Sequence, residues 1–249
     1  MTITSSHNQR LKEIRKLRMR RRERDRSGRF VAEGEDLLAA ADAAGWPAVE
    51  RFCAAGSGLP GVEVEPALLA SASGLGSGTR ALGVYAERWA GKPLGPLCVY
   101  LHGVQDPGNV GAVLRSAQAF GASCVTIGPG SADPFGPKAV RASMGAVFGV
   151  ALARASTIAE LPGTTIALVP ESGVGLSELW RISPEGRDQN AKVPELTLLV
   201  GGERDGLPTD LARQADHVAH IPIATHSLNA AMAATVALYE VTRMAPAWT

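Results

Sequence analysis

Three short segments in the second half of the chain combine polar side chains with glycines. Each follows an apolar run and precedes a helical pattern; they are Asn109-x-Gly111-x-x-x-Arg115, Gly201-Gly202-Glu203 and Ser227-Leu228-Asn229. Amides, a hydroxyl, a carboxylate and a guanidinium of this kind could bind a polar substrate and stabilise developing negative charge. The glycines would let a ligand approach main-chain groups directly. The three segments together therefore predict a pocket built largely from backbone.

The first segment follows a strand, and Asn109 fits the cap position of the helix that it opens. Gly111 lies four residues before Arg115 on the same helix face, so the guanidinium could fold back over the strand ends, where open α/β sheets bind ligands. The purely structural alternative is a helix cap followed by an ordinary surface arginine.

The other two segments also have a structural interpretation and a functional one. Gly201 and Gly202 end a buried strand, and Pro208 suits the start of the next helix, which could be a plain turn with a solvated Glu203. Ser227 is placed to cap a helix rich in alanine, and a helix this thin allows backbone to approach closely.

Basic residues are concentrated near the start of the chain. Residues 10–29 contain eleven Lys or Arg and three acids, a net charge of +8, whereas the remaining chain carries −7. This asymmetry indicates a polyanionic partner, with Arg20, Arg21 and Arg22 as candidate contacts. Lys138 and Arg141 lie three apart on one helix and could also bind phosphate. Solvated charges are the alternative at both places.

Several classes of function are disfavoured. The turns match neither G-x-G-x-x-G nor G-x-x-x-x-G-K-[ST], which argues against a nucleotide-dependent enzyme of the ordinary doubly wound type. His226 and Ser227 are adjacent and would point apart, so a Ser/His hydrolase is disfavoured. The three cysteines and five histidines show no metal spacing, and we expect no metal. Neither a signal peptide nor an apolar run long enough for a bilayer is visible, so we expect a cytoplasmic protein without a membrane partner.

The pattern of elements predicts two domains, at residues 1–90 and 97–249, joined by a linker within residues 88–96 that is rich in Pro and Gly. The first reads as a small α/β unit with a basic N-terminal helix. In the second, strands and helices alternate, which indicates a mainly parallel sheet covered on both faces. The predicted strands are 97–101, 123–127, 164–169, 195–200 and 217–221, and the predicted helices are 109–120, 138–144, 207–215 and 227–244.

The three segments, in this order, resemble the SpoU (TrmH-like) branch of the SPOUT RNA 2′-O-ribose methyltransferases. The matching pieces are Asn109-x-Gly111-x-x-x-Arg115, Gly201-x-Glu203-x-x-Gly206-Leu207, and Ile221-Pro222 followed by Ser227-Leu228-Asn229. The first 90 residues resemble the ribosomal-protein-like substrate-binding domain that is often fused to this family, through residues 29–34 and 79–84.

The resemblance implies an α/β fold with a deep trefoil knot near the C-terminus, and a homodimer in which the partner completes each site. It implies S-adenosylmethionine as cofactor, held largely by main chain and lined by Gly201, Gly202, Ile221 and Leu228. A catalytic polar centre would comprise Asn109, Arg115, Glu203, Ser227 and Asn229. The loop between Pro222 and Ser227 is about two residues shorter than the family pattern and lacks its usual glycine.

The very high pKa of an arginine side chain makes Arg115 unsuitable as a literal base. We expect it to stay charged, to hold a neighbouring phosphate and to stabilise the developing oxyanion, while the proton leaves through phosphate, Ser227 or water. The resemblance implies RNA 2′-O-methylation, with ribosomal RNA favoured over transfer RNA because of the first domain. The alternative is a non-catalytic RNA-binding or ribosome-assembly protein.

Overall fold

The computed structural model describes residues 2–74, 78–170, 172–182 and 195–244. The chain divides into two compact units, Met1–Arg88 with Asp133–Gly149, and Trp89–Ala132 with Val150–Thr249. The chain therefore passes between the units three times, and the segment 133–149 groups with the first unit although the sequence places it in the second predicted domain. The single linker proposed at 88–96 is one of these three connections.

The first unit contains a four-stranded sheet in the order β1-β4-β2-β3. Strand β4 pairs antiparallel with β1 and β2, and β3 pairs parallel with β2. Its elements are α1 (Gln9–Met19), α2 (Arg21–Ser27), β1 (Arg29–Glu33), α3 (Glu35–Ala43), β2 (Glu50–Ala54), β3 (Val62–Val64), α4 (Pro66–Ala72), β4 (Ala81–Ala86), α6 (Pro137–Ala142) and α7 (Ala146–Gly149).

Helix α1 is part of the folded core of this unit. Leu11, Ile14 and Leu17 recur at helical spacing and are at most 2% exposed, so they anchor the helix in the core while Lys12 and Lys16 face outwards. The helical conformation is interrupted at Arg20, which is extended between α1 and α2.

An aromatic cluster and an ion pair hold the segment 133–149 in the first unit. The ring of Phe30 on β1 lies 4.7 Å from that of Phe135 and 5.8 Å from that of Phe148. Arg24, which is buried, pairs with Asp133 at 2.7 Å. These contacts are long-range in sequence, which is why the local pattern gave no sign of them.

The second unit is built on a seven-stranded sheet in the order β7-β6-β5-β10-β8-β11-β9, and all of its pairings are parallel. The predicted α/β class with a parallel sheet is confirmed, and the trefoil knot stays a prediction. The elements are β5 (Leu97–His102), α5 (Pro107–Ala119), β6 (Cys124–Ile127), β7 (Ala151–Arg154), β8 (Thr164–Leu168), β9 (Val174–Gly175), α8 (Leu176–Ile182), β10 (Leu196–Gly201), α9 (Thr209–Gln214), β11 (His217–His220) and α10 (Ala230–Met244).

Two predicted helix caps were wrong. Helix α5 begins at Pro107, and Asp106 caps it by accepting from the Gly108 amide at 2.6 Å, so Asn109 lies inside the first turn. Asn229, and not Ser227, caps α10. Asp106 stands three residues before Asn109, and Asn229 stands two residues after Ser227. Each pair offers two potential capping side chains, and the tertiary contacts of the asparagine decide which one caps the helix.

Candidate active site

The predicted segments meet at the carboxyl edge of the parallel sheet. Strands β5 and β10 are neighbours, with Gly201 directly opposite His102 in the register. The turn after each strand leads into a helix, so polar groups from distant parts of the sequence are brought to one edge.

Backbone packing requires both glycines of the β10 turn. A Cβ on Gly202 would lie 2.2 Å from the carbonyl oxygen of Gly103, in the turn after β5, and one on Gly201 would lie 2.1 Å from the carbonyl carbon of Gly206. The Gly206 amide donates to the Gly202 carbonyl at 2.9 Å and closes the turn. The glycines therefore bring two backbone segments into contact, in addition to any role in ligand binding.

A directional chain of hydrogen bonds connects three of the predicted catalytic residues. The side-chain oxygen of Asn229 accepts from the amides of Ala231 at 3.0 Å and Met232 at 3.3 Å, at the first turn of α10. Its Nδ2 must then donate, and it does so to Oδ1 of Asn109 at 3.1 Å. Asn109 Nδ2 in turn donates to Oε1 of Glu203.

This chain fixes the orientation of both amides, because the helix N-terminus supplies only donors. Glu203 is the acceptor at the other end and is held beside the β10 turn as a carboxylate. Because Glu203 and Asn229 are exposed in the single chain, the polar centre is open to a substrate or to a second molecule.

Arg115 is separate from this chain of hydrogen bonds. It is exposed on α5, and its guanidinium makes no hydrogen bond or ion pair with any residue that the structure describes. The next residue, Ser116, bonds to Thr235 of α10 through the two hydroxyls at 2.6 Å, so α5 and α10 are fixed side by side. The structure thus brings together three of the five predicted catalytic residues and leaves Arg115 free to meet another group.

A cavity of about 600 Å³ opens between the β10 turn and the segment before α10. Its wall includes all four residues assigned to cofactor binding, Gly201, Gly202, Ile221 and Leu228, together with Glu203 and Ser227. Sequence reasoning missed the rest of the wall, which consists mainly of apolar side chains and backbone. These further residues include Leu168, Val169, Pro170 and Val218.

The missed residues carry weak sequence signals, because an apolar residue at the end of a strand is most often a core residue. Only the position of β8, β10 and β11 as neighbours in the sheet shows that these side chains surround a space. No group of three potential metal ligands occurs within the described ranges, and no described helix is long and apolar enough to cross a bilayer.

The predicted RNA-contacting residues lie in the first unit and differ in how far their charges are paired. Arg20 and Arg22 are exposed, and Arg21 faces Asp25 at 3.7 Å. Arg141 lies 3.5 Å from the buried carboxylate of Glu33. Lys138 is exposed on the same helix as Arg141.

Other cations of the basic segment have structural roles that its composition did not reveal. Arg18 pairs with Glu33 and donates to the carbonyl of Ala72 at 2.6 Å. Arg24 is buried, as described above. By contrast, Lys12 and Lys16 are exposed, and neither has a partner among the described residues. The unpaired cations of this segment are thus Lys12, Lys16, Arg20 and Arg22.

Comparison with known families gives two matches in this chain. Residues 96–239 match the SpoU rRNA Methylase family, and residues 8–74 match the MRM3-like substrate binding domain. The first match contains the three polar segments and the cavity, and the second contains α1 to α4.

Individual relatives carry related names. A Syntrophobacter fumaroxidans protein named ribosomal RNA small subunit methyltransferase G 2 is 35% identical over 95% of this chain and 48% of its own length. The 23S rRNA (uridine(2479)-2′-O)-methyltransferase of Streptomyces viridochromogenes is 35% identical over 55% of this chain and 49% of its own. The chain thus spans about half the length of the curated relatives it matches.

Among solved structures, the AdoMet-bound rRNA methyltransferase from Sinorhizobium meliloti resembles this chain with a TM-score of 0.82 and 30% sequence identity. The match covers 98% of both chains, so it includes both units.

Proposed function

Because this chain belongs to the SpoU rRNA Methylase family, we propose that it transfers a methyl group from S-adenosylmethionine to a ribose 2′-hydroxyl of ribosomal RNA. The observation that carries the proposal is the juxtaposition of a cavity lined by backbone and a polar centre, Glu203–Asn109–Asn229, at one sheet edge. Transfer RNA is the second candidate substrate. We place the reaction in the cytoplasm, where ribosomal RNA is modified.

The residues present fit the cofactor. A cavity of about 600 Å³ lies within the range that takes ligands of this size, and its apolar wall suits an adenine ring and an aliphatic stem. When bound, S-adenosylmethionine supplies a methyl group on a cationic sulfur. Ile221 and Leu228 would pack on the cofactor, and the main chain at Gly201 and Gly202 would offer amides and carbonyls to its polar ends.

The polar residues would act on the substrate. The guanidinium of Arg115 can bind a phosphate in two parallel hydrogen bonds while facing the developing alkoxide. The carboxylate of Glu203, held by Asn109, can accept a hydrogen bond from a ribose hydroxyl and fix its orientation. Ser227 lies on the cavity wall, where it can pass the hydroxyl proton to water or phosphate.

The exposed face of α10 supports a homodimer. Met232, Val236 and Tyr239 recur at helical spacing and are 62%, 40% and 53% exposed. A second copy of this chain is the occupant that we propose for this face, since α5 beside it carries the unpartnered Arg115. Dimer formation would cover the apolar stripe and bring the open polar centre next to a partner subunit.

Tyr239→Glu should convert a dimer into a monomer, because it places a charge on the apolar stripe. Sedimentation or light scattering would measure the mass, and Arg243→Glu, one turn further along α10, serves as the control. A wild-type chain that is monomeric at 50 μM would contradict the proposed assembly.

The four unpaired cations of the basic segment, Lys12, Lys16, Arg20 and Arg22, are among the proposed RNA contacts of the first unit. Lys12→Ala with Lys16→Ala should reduce the log–log slope of RNA affinity against salt by roughly 1.4 to 1.8, because each phosphate contact contributes about 0.7 to 0.9. The matched control is Arg26→Ala, whose guanidinium is already paired with Glu23 at 2.7 Å. If Arg26→Ala reduced the salt slope equally, an ion pair with a neighbouring carboxylate would not determine which cations contact RNA.

The activity itself is tested with labelled S-adenosylmethionine and an unmodified transcript of bacterial 23S ribosomal RNA, followed by mapping of ribose methylation. We expect incorporation at one 2′-oxygen and a loss of at least a hundredfold in single-turnover rate for Arg115→Lys, which keeps the charge but not the paired donors. Cofactor binding without incorporation into ribosomal or transfer RNA would refute the proposed reaction. Absence of cofactor binding would favour the non-catalytic RNA-binding alternative.

A further inference from the structure

The turn after α6 holds a methionine in a strained and exposed position. Met144 has a φ of 50°, and it is the one non-glycine residue with positive φ among the described residues. Its side chain is 60% exposed. A left-handed conformation is strained for any ordinary residue other than glycine, and an exposed thioether gains little by burial.

The surrounding structure enforces this conformation. Ser143 is fully buried, and its hydroxyl donates to the Val140 carbonyl at 2.7 Å. Gly145 follows with a φ of 95°, and a Cβ there would lie 2.5 Å from the Cβ of Ala40 on α3. The residues on both sides are thus fixed by packing, and the turn presents the Met144 side chain as a rigid protrusion.

The charges around this turn suit a polyanion. The first unit contains sixteen basic and twelve acidic residues, a net charge of +4, whereas the second unit carries −3. Lys138 is exposed on α6, directly before the turn, and Arg141 shares the carboxylate of Glu33 with Arg18, so that group of three charges is also net positive.

We propose that Met144 is an apolar wedge that packs against an unstacked base of the RNA substrate while cations of the first unit hold the flanking phosphates. Methionine is among the side chains that proteins insert between bases, and an unpaired base offers an apolar face without regard to sequence. This inference rests on the proposed function, since it takes RNA to be the partner of the first unit.

The test uses the full chain and the unmodified 23S ribosomal RNA transcript. Met144→Gly removes the wedge and relieves the strain, so we expect a melting temperature that is equal or higher and RNA binding that is about five- to tenfold weaker. Because no charge is removed, the loss should be the same at every salt concentration, and the log–log salt slope should not change. Lys138→Ala, by contrast, should reduce the slope.

Two more variants separate the side chain from the turn. Met144→Asn tolerates the left-handed conformation but is polar, and it should bind as weakly as the glycine variant. Met144→Leu keeps an apolar side chain and should bind within twofold of the wild type. Val49→Ala removes an apolar side chain that is 48% exposed elsewhere in the same unit, and it should have no effect.

Binding by Met144→Gly and Met144→Asn within twofold of the wild type would overturn the inference while leaving the proposed function intact. If the wild type binds and methylates neither ribosomal nor transfer RNA, the proposed function fails instead. The two failures are therefore distinguishable in one set of measurements.

Discussion

Two substitutions, at Asn229 and at Glu203, should reverse the direction of the hydrogen bonds at the polar centre. They therefore test what these hydrogen bonds contribute. Asn229→Asp keeps the cap of α10, since a carboxylate accepts from the first-turn amides at least as well as an amide oxygen does. It removes the donor to Asn109 Oδ1, which then faces a carboxylate. If the Asn109 amide flips to donate to that carboxylate, its oxygen faces Glu203 instead.

The expected size follows from these contacts. The lost hydrogen bond and the new repulsion should cost about 1–2 kcal/mol in the free energy of unfolding, since the groups are partly in solvent. Capping should offset this by up to about 0.5 kcal/mol through the helix dipole. Asn229→Ala loses both the helix cap and the hydrogen bond to Asn109, so we expect a loss of about 2 kcal/mol in the free energy of unfolding.

A second substitution should repair the chain in the opposite direction. Glu203→Gln supplies a donor to Asn109 Oδ1, so that Asn109 Nδ2 can donate to the new carboxylate at position 229. Urea unfolding of the wild type, both single variants and the double variant gives a coupling energy, expected at about 1 kcal/mol or more in favour of the double variant.

Methyl transfer should not recover in the double variant, because the carboxylate at position 203 is absent. A coupling energy within about 0.3 kcal/mol of zero would refute the directional chain. Recovery of the transfer rate without Glu203 would refute the role given to its carboxylate.

Three further outcomes follow from contacts elsewhere. Gly202→Ala should abolish cofactor binding and lower stability by about 2 kcal/mol, measured by calorimetry and urea unfolding, because the new methyl group cannot fit beside the β5 turn. Glu33→Ala should cost about 3 kcal/mol in unfolding free energy, since Arg18 is left as a largely buried, unpaired cation. Hydrogen bonds from Thr165 hold the pKa of Asp216 below its ordinary value, so the stability from this carboxylate is fully present above the unfolded pKa and is lost as pH falls through the lower folded pKa. Asp216→Asn should therefore flatten the acid limb of a melting-temperature profile below about pH 4.

Each of these has a control from the same neighbourhood. A methyl group in Gly206→Ala meets no protein atom within 4 Å, so this variant should lose only about 1 kcal/mol of stability, for its positive φ. Glu35→Gln breaks an exposed pair with Arg80 and should cost less than about 0.5 kcal/mol. Asp210→Asn, at an almost fully exposed carboxylate, should leave the acid limb unchanged. Controls as damaging as the tests would contradict the contact-based reasoning.

The elements with strong periodicity could be predicted from the sequence. The strands ending at residues 102, 127 and 201 were predicted to within a residue or two, because fully buried parallel strands are continuous apolar runs. Helix α5 begins two residues before its predicted start, and α10 begins three residues after its predicted start. Several potential capping residues stand near each start, and the sequence alone does not rank them.

The sequence by itself determined the family, the parallel α/β class and the residues at the polar centre, because these depend on local patterns that can be compared along the chain. Tertiary structure decided which basic residues lack an ion-pair partner. Arg18 and Arg24 form ion pairs with Glu33 and Asp133, which lie 15 and 109 residues away in the sequence. Tertiary structure also decided that the segment 133–149 belongs with the first unit and that β8, β10 and β11 enclose a cavity. Pairing and enclosure depend on the distance between remote residues in space, and neither composition nor periodicity encodes that distance.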